Sequence, residues 1–417
     1  MTELIRKVWD FEFEHQKHVF TNPLWIKAFV WLAGSGFAFI TVFLIGTIPF
    51  TDLIAPDKFA AFLNSLQTES GFSLRAYLPH IWLFLAVTAV LLRAAIIISS
   101  YYLGKKQLGE EQFNKLFGTY LATFFLGMLT LATLAVVSII HLSTAGSFAW
   151  IPVLIESGVT YFNQLISVLM PYSFGLPSYW LAIFLTITLS ALPGYIVHYL
   201  SHRSRLLWIT SHRAHHVPEF LHPLAAPNNN MPFMETLMAI PGVIFMGVVS
   251  KMIYHEPLVM EIAVWFTARL CVESFNHSSA HYYFALNNPI VRNLSRLFGD
   301  IGVYHLVHHS AYKRDQNVNF SAAPFMLWDR IFGTFRSPYK KMPPLGLTDQ
   351  PRVTMSPIRI VFGGFAQIWF ELKMNKDWKT RWKILFGDVF YMPPITKDYL
   401  VLKKAEASLE TLEWDRA

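Results

Sequence analysis

At 417 residues, with hydrophobic residues making up 53% of the chain and charged residues 15%, the sequence is too apolar for an ordinary soluble enzyme of its length. The net charge of +7 comes without any nucleic-acid motif and fits a membrane protein with basic cytoplasmic loops near anionic headgroups. A lone cysteine, Cys271, excludes an internal disulfide framework and a thiolate zinc site.

Residues 1–24 are charged and aromatic, lack the apolar core of a cleavable signal, and read as a short interfacial helix on the cytosolic side. Residues 25–176 form a membrane region. A span needs about 20 mostly apolar residues. Residues 28–50 and 117–140 carry no charge, and residues 77–102 carry only Arg93. A fourth span, residues 177–197, opens the next region. The loop between the third and fourth spans, residues 143–176, has no Lys or Arg, whereas Lys105, Lys106 and Lys115 follow the second span. That bias places both termini and everything after the fourth span in the cytoplasm, at a bacterial inner membrane or the endoplasmic reticulum.

Residues 177–338 hold the chemistry. Ten histidines fall in four clusters: His198 and His202 (HxxxH), His212, His215 and His216 (HxxHH), His277 and His281 (HxxxH), and His305, His308 and His309 (HxxHH). With 16 His in the chain, HxxHH should arise by chance about 0.02 times, and it occurs twice. On a helix, residues three and four apart share a face, so each cluster offers two or three imidazoles to one point. Ten imidazoles exceed the needs of one ion and suit Zn, Cu, Fe or Ni. Between the second and third clusters, apolar runs at 236–250 and 257–268 are too short for full spans. They read as a hairpin that dips into the bilayer or packs inside the protein. His15, His18, His80, His141 and His255 stand alone and read as structural.

The metal follows by comparison of donor sets. A zinc hydrolase keeps three protein ligands and an open position, and soluble di-iron oxygenases draw on Glu and Glu-x-x-His. A nearly all-histidine pair of irons at a membrane mouth, activating O2 against an unactivated C–H bond of an apolar substrate, remains. Glu219, His222, Glu235, Glu273, Asn276 and Asp300 are candidates to support the ligands from behind, as metal-bound imidazoles donate their other N–H to a carboxylate or carbonyl. Asp315 is a further candidate of the same kind, and Asp329 is expected to cap its turn or pair with Arg330 or Arg336.

The order of the four clusters, the preceding spans and the segment YHLVHHSAYKRDQNVNFSAAPFMLWDRIFGTFRSP resemble the fatty acid hydroxylase/sterol desaturase superfamily. The resemblance covers roughly residues 177–338. It implies a helical fold, two irons ligated by the ten histidines, and O2-dependent hydroxylation or desaturation of a lipid. In the tail, residues 339–417, the segment 343–394 is similar to the C-terminal extension of the alkylglycerol monooxygenase-like branch. Glu219 keeps one residue of that branch's pattern, but His222 and Asn228 stand where an Asn and an Arg are expected. The branch's ether-lipid substrate and tetrahydropterin therefore do not transfer directly, and the reductant stays open between cytochrome b5-like, ferredoxin-like and tetrahydropterin donors. Read without the resemblance, Trp369, Phe370, Trp378, Trp382 and Phe386 alternate with Lys373, Lys376, Lys379, Arg381 and Lys383. This pattern suits either the headgroup layer or a lid over the histidines.

The expected protein is all-α and polytopic, with about four transmembrane helices, a membrane-dipping hairpin and a cytosolic histidine-rich core. Its expected partners are a bilayer lipid and an electron donor. A desaturase, a membrane zinc hydrolase and a metal-binding membrane protein without turnover are the alternatives.

Overall fold

The computed structural model describes residues 24, 26–28, 30–32, 74–114, 117, 161–224, 232–347 and 357–394. Two long helices organise these residues: α1 (Leu74–Leu108) and α2 (Tyr179–Arg203). The segments Phe84–Leu108 and Tyr179–Arg203 are each long and apolar enough to cross a membrane. Large apolar side chains on them face outward, including Phe84, Leu91, Leu92, Trp180, Leu181 and Phe184. In water such surface would be a liability; against acyl chains it is neutral. Two of the four expected spans are thus present as helices. The other two, residues 28–50 and 117–140, lie almost wholly outside the described residues, as do the N-terminal segment and Asn228.

The two short apolar runs form a helical hairpin, α3 (Pro232–Ile253) and α4 (Val259–Glu273). It packs inside the protein: α4 lies along α1 and α3 along α2. The Ser250 hydroxyl donates to the Gly247 carbonyl and accepts from the Leu258 amide at 3.2 Å, which fixes the turn between them. Tyr179 Oη donates to buried Glu261 at 2.7 Å and ties the start of α2 to α4. Part of the segment expected as a loop before α2 is helical, at residues 161–169. Its Ile166 and Phe162 press so closely on Gly247 of α3 that an added Cβ would lie 2.7 Å from Ile166.

Between the hairpin and the tail the elements are short. Helix α5 (Pro289–Leu297) starts on Asn288, whose side chain accepts from the Ile290 and Val291 amides, with proline in the first turn. Helix α6 (Val303–His308) follows Gly302, which has φ 60° and no room for a side chain: a Cβ there would meet Ser295 Oγ at 2.4 Å. Glycine is the residue that takes this backbone shape without strain. Helices α7 (Pro357–Met374) and α8 (Trp378–Phe386) make up the described part of the tail. No named strand occurs among the described residues; one isolated bridge joins Ser310 and Leu345.

Candidate metal centre

The histidine clusters meet at the end of α2. His198 and His202 lie one turn apart on its last two turns. Ser204 then breaks the helix with φ −90° and ψ 120°, and the chain re-enters through a short turn at Arg205–Leu207. A π-helical segment, Trp208–His212, and a last α-turn, Arg213–His216, complete the return. The wider π turn is the kind of local distortion that re-aims side chains at functional sites. Here His212 Nε2 comes back to 3.1 Å from His198 Nε2.

Two groups of four result. His198, His202, His212 and His308 form one, and His215, His277, His305 and His309 the other, with one nitrogen from each ring lying within 4.8 Å of its fellows. Each HxxHH cluster is divided between the groups. From the first, His212 serves one group and His215 the other. From the second, His308 serves the first group and His305 and His309 the second. His216 Nε2 is 3.1 Å from His212 Nε2, while its ring stacks on His309 at 4.4 Å between centroids. It lies beside the first group and forms part of the wall between the two.

The nitrogen spacing carries chemical information. His198 Nε2 is 3.1 Å from both His212 Nε2 and His308 Nε2. His305 Nε2 is 3.1 Å from both His277 Nε2 and His309 Nε2. A single proton cannot satisfy three convergent imidazole nitrogens. Nitrogens about 2.1 Å from a shared ion lie about 3.0–3.4 Å apart, depending on geometry. His202 Nε2 is buried and has no hydrogen-bond partner, an arrangement that is costly unless another group takes the lone pair. The donor set therefore fits two transition-metal ions.

Burial keeps these rings neutral. His212, His216, His277, His305, His308 and His309 are all held well below the ordinary imidazole range. The main cause is removal from water, with neighbouring imidazoles adding to it. Neutral imidazole is the form that ligates.

Backbone carbonyls orient several rings from behind. His308 Nδ1 donates to the Val318 carbonyl at 2.9 Å, and His198 Nδ1 approaches the Phe320 carbonyl at 3.4 Å. The Phe320 ring packs against His198, His202 and His308, with centroids 5.0, 5.1 and 5.5 Å away. Asp329 holds this strap: its carboxylate accepts from the Phe320 and Ser321 amides, each at 2.8 Å, and from Thr334 Oγ1 at 2.7 Å. Of the two roles expected of Asp329, capping its turn is the one seen, and the pairing with Arg330 or Arg336 is not. Arg336 instead lies 3.5 Å from Asp315, which also accepts from Tyr339 Oη. The Asn319 side chain, at φ 56°, bonds the Tyr304 and Arg336 carbonyls and the Arg336 amide.

The expected supporting residues separate. Asp300 faces the site, with Oδ2 3.9 Å from His305 Nδ1 and Oδ1 accepting from Arg269 at 3.1 Å. Burial raises its carboxyl to about 6 against the opposing pull of Arg269. Asn276 accepts from the Gly302 amide at 2.6 Å and so sets the start of α6. Glu273 reaches Arg269 at 3.8 Å and is partly exposed. Glu219 packs under Gly346. The side chain of Glu235 lies outside the described residues.

His281 does not join either group. Its Nδ1 lies 2.7 Å from Ser278 Oγ and its Nε2 3.1 Å from Ser99 Oγ of α1. The helical spacing assumed for HxxxH fails here because α4 ends at Glu273 and residues 279–281 are a 3-10 turn. His222 is likewise away from the metal groups. Its Nδ1 accepts from the Leu224 amide at 3.1 Å, so the proton sits on Nε2, which donates to the Ile97 carbonyl at 3.1 Å. Phe117 packs edge-on against it at 4.6 Å. Burial lowers His222 to about 3, against an ordinary value of 6.5. Because the unfolded chain takes up this proton first, His222 weakens the fold as pH falls from 6.5 towards 3. His222→Asn is expected to keep both metal groups, to lower stability by about 1–3 kcal/mol through its lost bonds, and to lose stability less steeply on acidification. Metal analysis with thermal melts at several pH values checks this, and metal loss in this variant would return His222 to the site.

Three features escaped sequence reasoning: the π turn, the Phe320 strap and the burial of Arg205, which lies three residues after His202. The strap had a signal, since Asn317 to Phe320 belongs to the motif that follows the last cluster.

Residues 180–334 match the fatty acid hydroxylase family model. Over 194 residues the chain is 23% identical to alkylglycerol monooxygenase of Homo sapiens, a match covering 46% of this chain and 38% of that protein. The chain thus aligns with well under half of the length of this curated relative. No solved structure matches. The matched interval starts within α2 and ends just after the Asp329 turn, so it takes in all ten clustered histidines and the Phe320 strap. Residues 180–334 thus match a fatty acid hydroxylase domain, and the chain is similar to alkylglycerol monooxygenase, in line with the resemblance carried by its histidine motifs.

Proposed function

We propose that the protein is a membrane-bound diiron oxygenase that uses O2 and an external reductant to hydroxylate a C–H bond of a lipid. The observation that carries this reading is the pair of four-histidine groups, without a carboxylate in either, at the end of an apolar helix fit to cross a bilayer. Such a pair of irons, when bound, supplies the activation of O2. His198, His202, His212, His216 and His308 would hold one ion and His215, His277, His305 and His309 the other. The Val318 and Phe320 carbonyls fix ring orientation, and the Phe320 ring keeps water from one side of the first group. The outward-facing apolar side chains of α2 border the path along which a lipid rises from the bilayer to its last turns.

Among the alternatives, a desaturase of the same superfamily shares the whole donor set. A zinc hydrolase is disfavoured by the number of imidazoles, since its metal keeps three protein ligands and an open position. The test combines metal analysis of the purified protein with lipid mass spectrometry of cells with and without the gene. Two irons per chain and a lipid that gains one oxygen are expected. Loss of two hydrogens instead would identify a desaturase, and active protein holding only zinc would overturn the reading.

A further inference from the structure

The tail carries the feature that the metal centre does not use. On α8, Trp378, Trp382 and Phe386 are spaced i, i+4, i+8 on one face and are 67, 58 and 52% exposed. On α7, Trp369 is 73% exposed and Phe365 and Phe370 are each 42% exposed. A lid packed over the histidines would bury these rings. Lys373, Lys376, Lys379, Arg381 and Lys383 are exposed among them.

The position of this surface is fixed by bonds to the end of α2. The Arg205 amide donates to the Gly387 carbonyl at 3.2 Å, and Ser204 Oγ donates to the Leu385 carbonyl at 3.5 Å. Ser204 directly follows the last residue of the candidate span Tyr179–Arg203. The C-terminal end of α8 is therefore held at the depth where that span leaves the hydrocarbon. Indole rings and basic side chains are the groups that settle at this depth, the rings in the interface and the cations on acidic headgroups.

We propose that the outer face of α7 and α8 is a docking surface for the anionic lipid headgroups of the membrane that α2 spans, holding the metal core at a set height above the acyl chains. This rests on the reading of α2 as a span. Basic residues near an acidic surface are drawn to it, so the five cations make binding sensitive to lipid charge.

The test uses the full-length protein in vesicles, in a Cys271→Ser background, with an environment-sensitive fluorophore at Trp382→Cys and, separately, at Phe184→Cys on α2. Quenching is measured with lipids bearing a headgroup nitroxide and with aqueous iodide. The Trp382 label is expected to be quenched several-fold more by headgroup nitroxide than the free dye, and more in vesicles containing phosphatidylglycerol than in pure phosphatidylcholine. Lys379→Glu with Lys383→Glu should remove the dependence on lipid charge. A Trp382 label quenched by iodide as fully as free dye, with the Phe184 label shielded, would overturn the docking surface alone. Iodide quenching at Phe184 would instead overturn the span. Shielding of Trp382 from both quenchers would show a covering protein, such as a second copy of the chain, and would also overturn the proposal.

Discussion

Replacing His308 by alanine is expected to release metal from one histidine group and to lower turnover by more than about 100-fold. Loss of a residue that merely supports a ligand costs about 10–100-fold in metal affinity or activity, and loss of a ligand should exceed that. His308 is a demanding case because its ring is used on both sides. Nε2 lies 3.1 Å from His198 Nε2, and Nδ1 is anchored on the Val318 carbonyl at 2.9 Å. Its ring also packs 4.7 Å from that of His216 on the wall between the groups. The informative partner is His281→Ala, which by the geometry should retain both ions, since that ring is bonded to Ser278 and Ser99. Iron content per chain, measured on both variants beside the parent, separates nine histidine ligands from ten. Equal metal loss in the two variants would restore His281 as a ligand and refute the arrangement described here.

Much of this centre could be read from the sequence because its pattern is local. An HxxHH cluster on one turn of helix must place its first and third histidines on a common face, and they do converge at His212 with His216 and at His305 with His309. The assumption that the whole cluster addresses one point was too simple. The middle histidine projects to the other group, so two interleaved clusters build both sites. The HxxxH pair on α2 behaves as a helical pair should, whereas the pair at 277 and 281 lies where a helix has already ended. Spacing alone does not distinguish these two cases. His222 was placed too near the chemistry because its position in an alignment says nothing of the Ile97 carbonyl, 125 residues away in sequence, that claims its proton. Of the two roles open to Asp329, capping its turn agrees with the structure and pairing with Arg330 or Arg336 does not, since arginines close in sequence compete with backbone amides that only the folded turn brings within reach.

Glu371→Ala is expected to destabilise the domain by about 3–5 kcal/mol and to speed loss of metal to a chelator. Arg205 follows His202 by three residues and opens the return to His212. It is 1% exposed, and Glu371 of α7 is completely buried. The pair is bidentate, at 2.6 and 2.9 Å, and the guanidinium also donates to the Tyr391 and Ile384 carbonyls. Removing the carboxylate would leave a buried cation without a counter-charge, which costs far more than the net worth of the intact pair. The consequence reaches the metal because α7 also presses on the π turn. At Gly364 an added Cβ would lie 1.9 Å from the Ile209 carbonyl oxygen, against an ordinary carbon–oxygen contact of about 3.3 Å. Helix α7 therefore holds in place the segment that swings His212 back onto His198. Gly364→Ala should force α7 off this segment and reproduce the faster metal release while leaving the Arg205–Glu371 charges intact. Glu371→Gln, which keeps the shape and can still accept from Arg205, should fall between wild type and Glu371→Ala. Thermal melts and chelator-release rates on the three variants test the coupling. Wild-type release from Glu371→Ala would show that the tail is bound to the core without bracing its metal ligands.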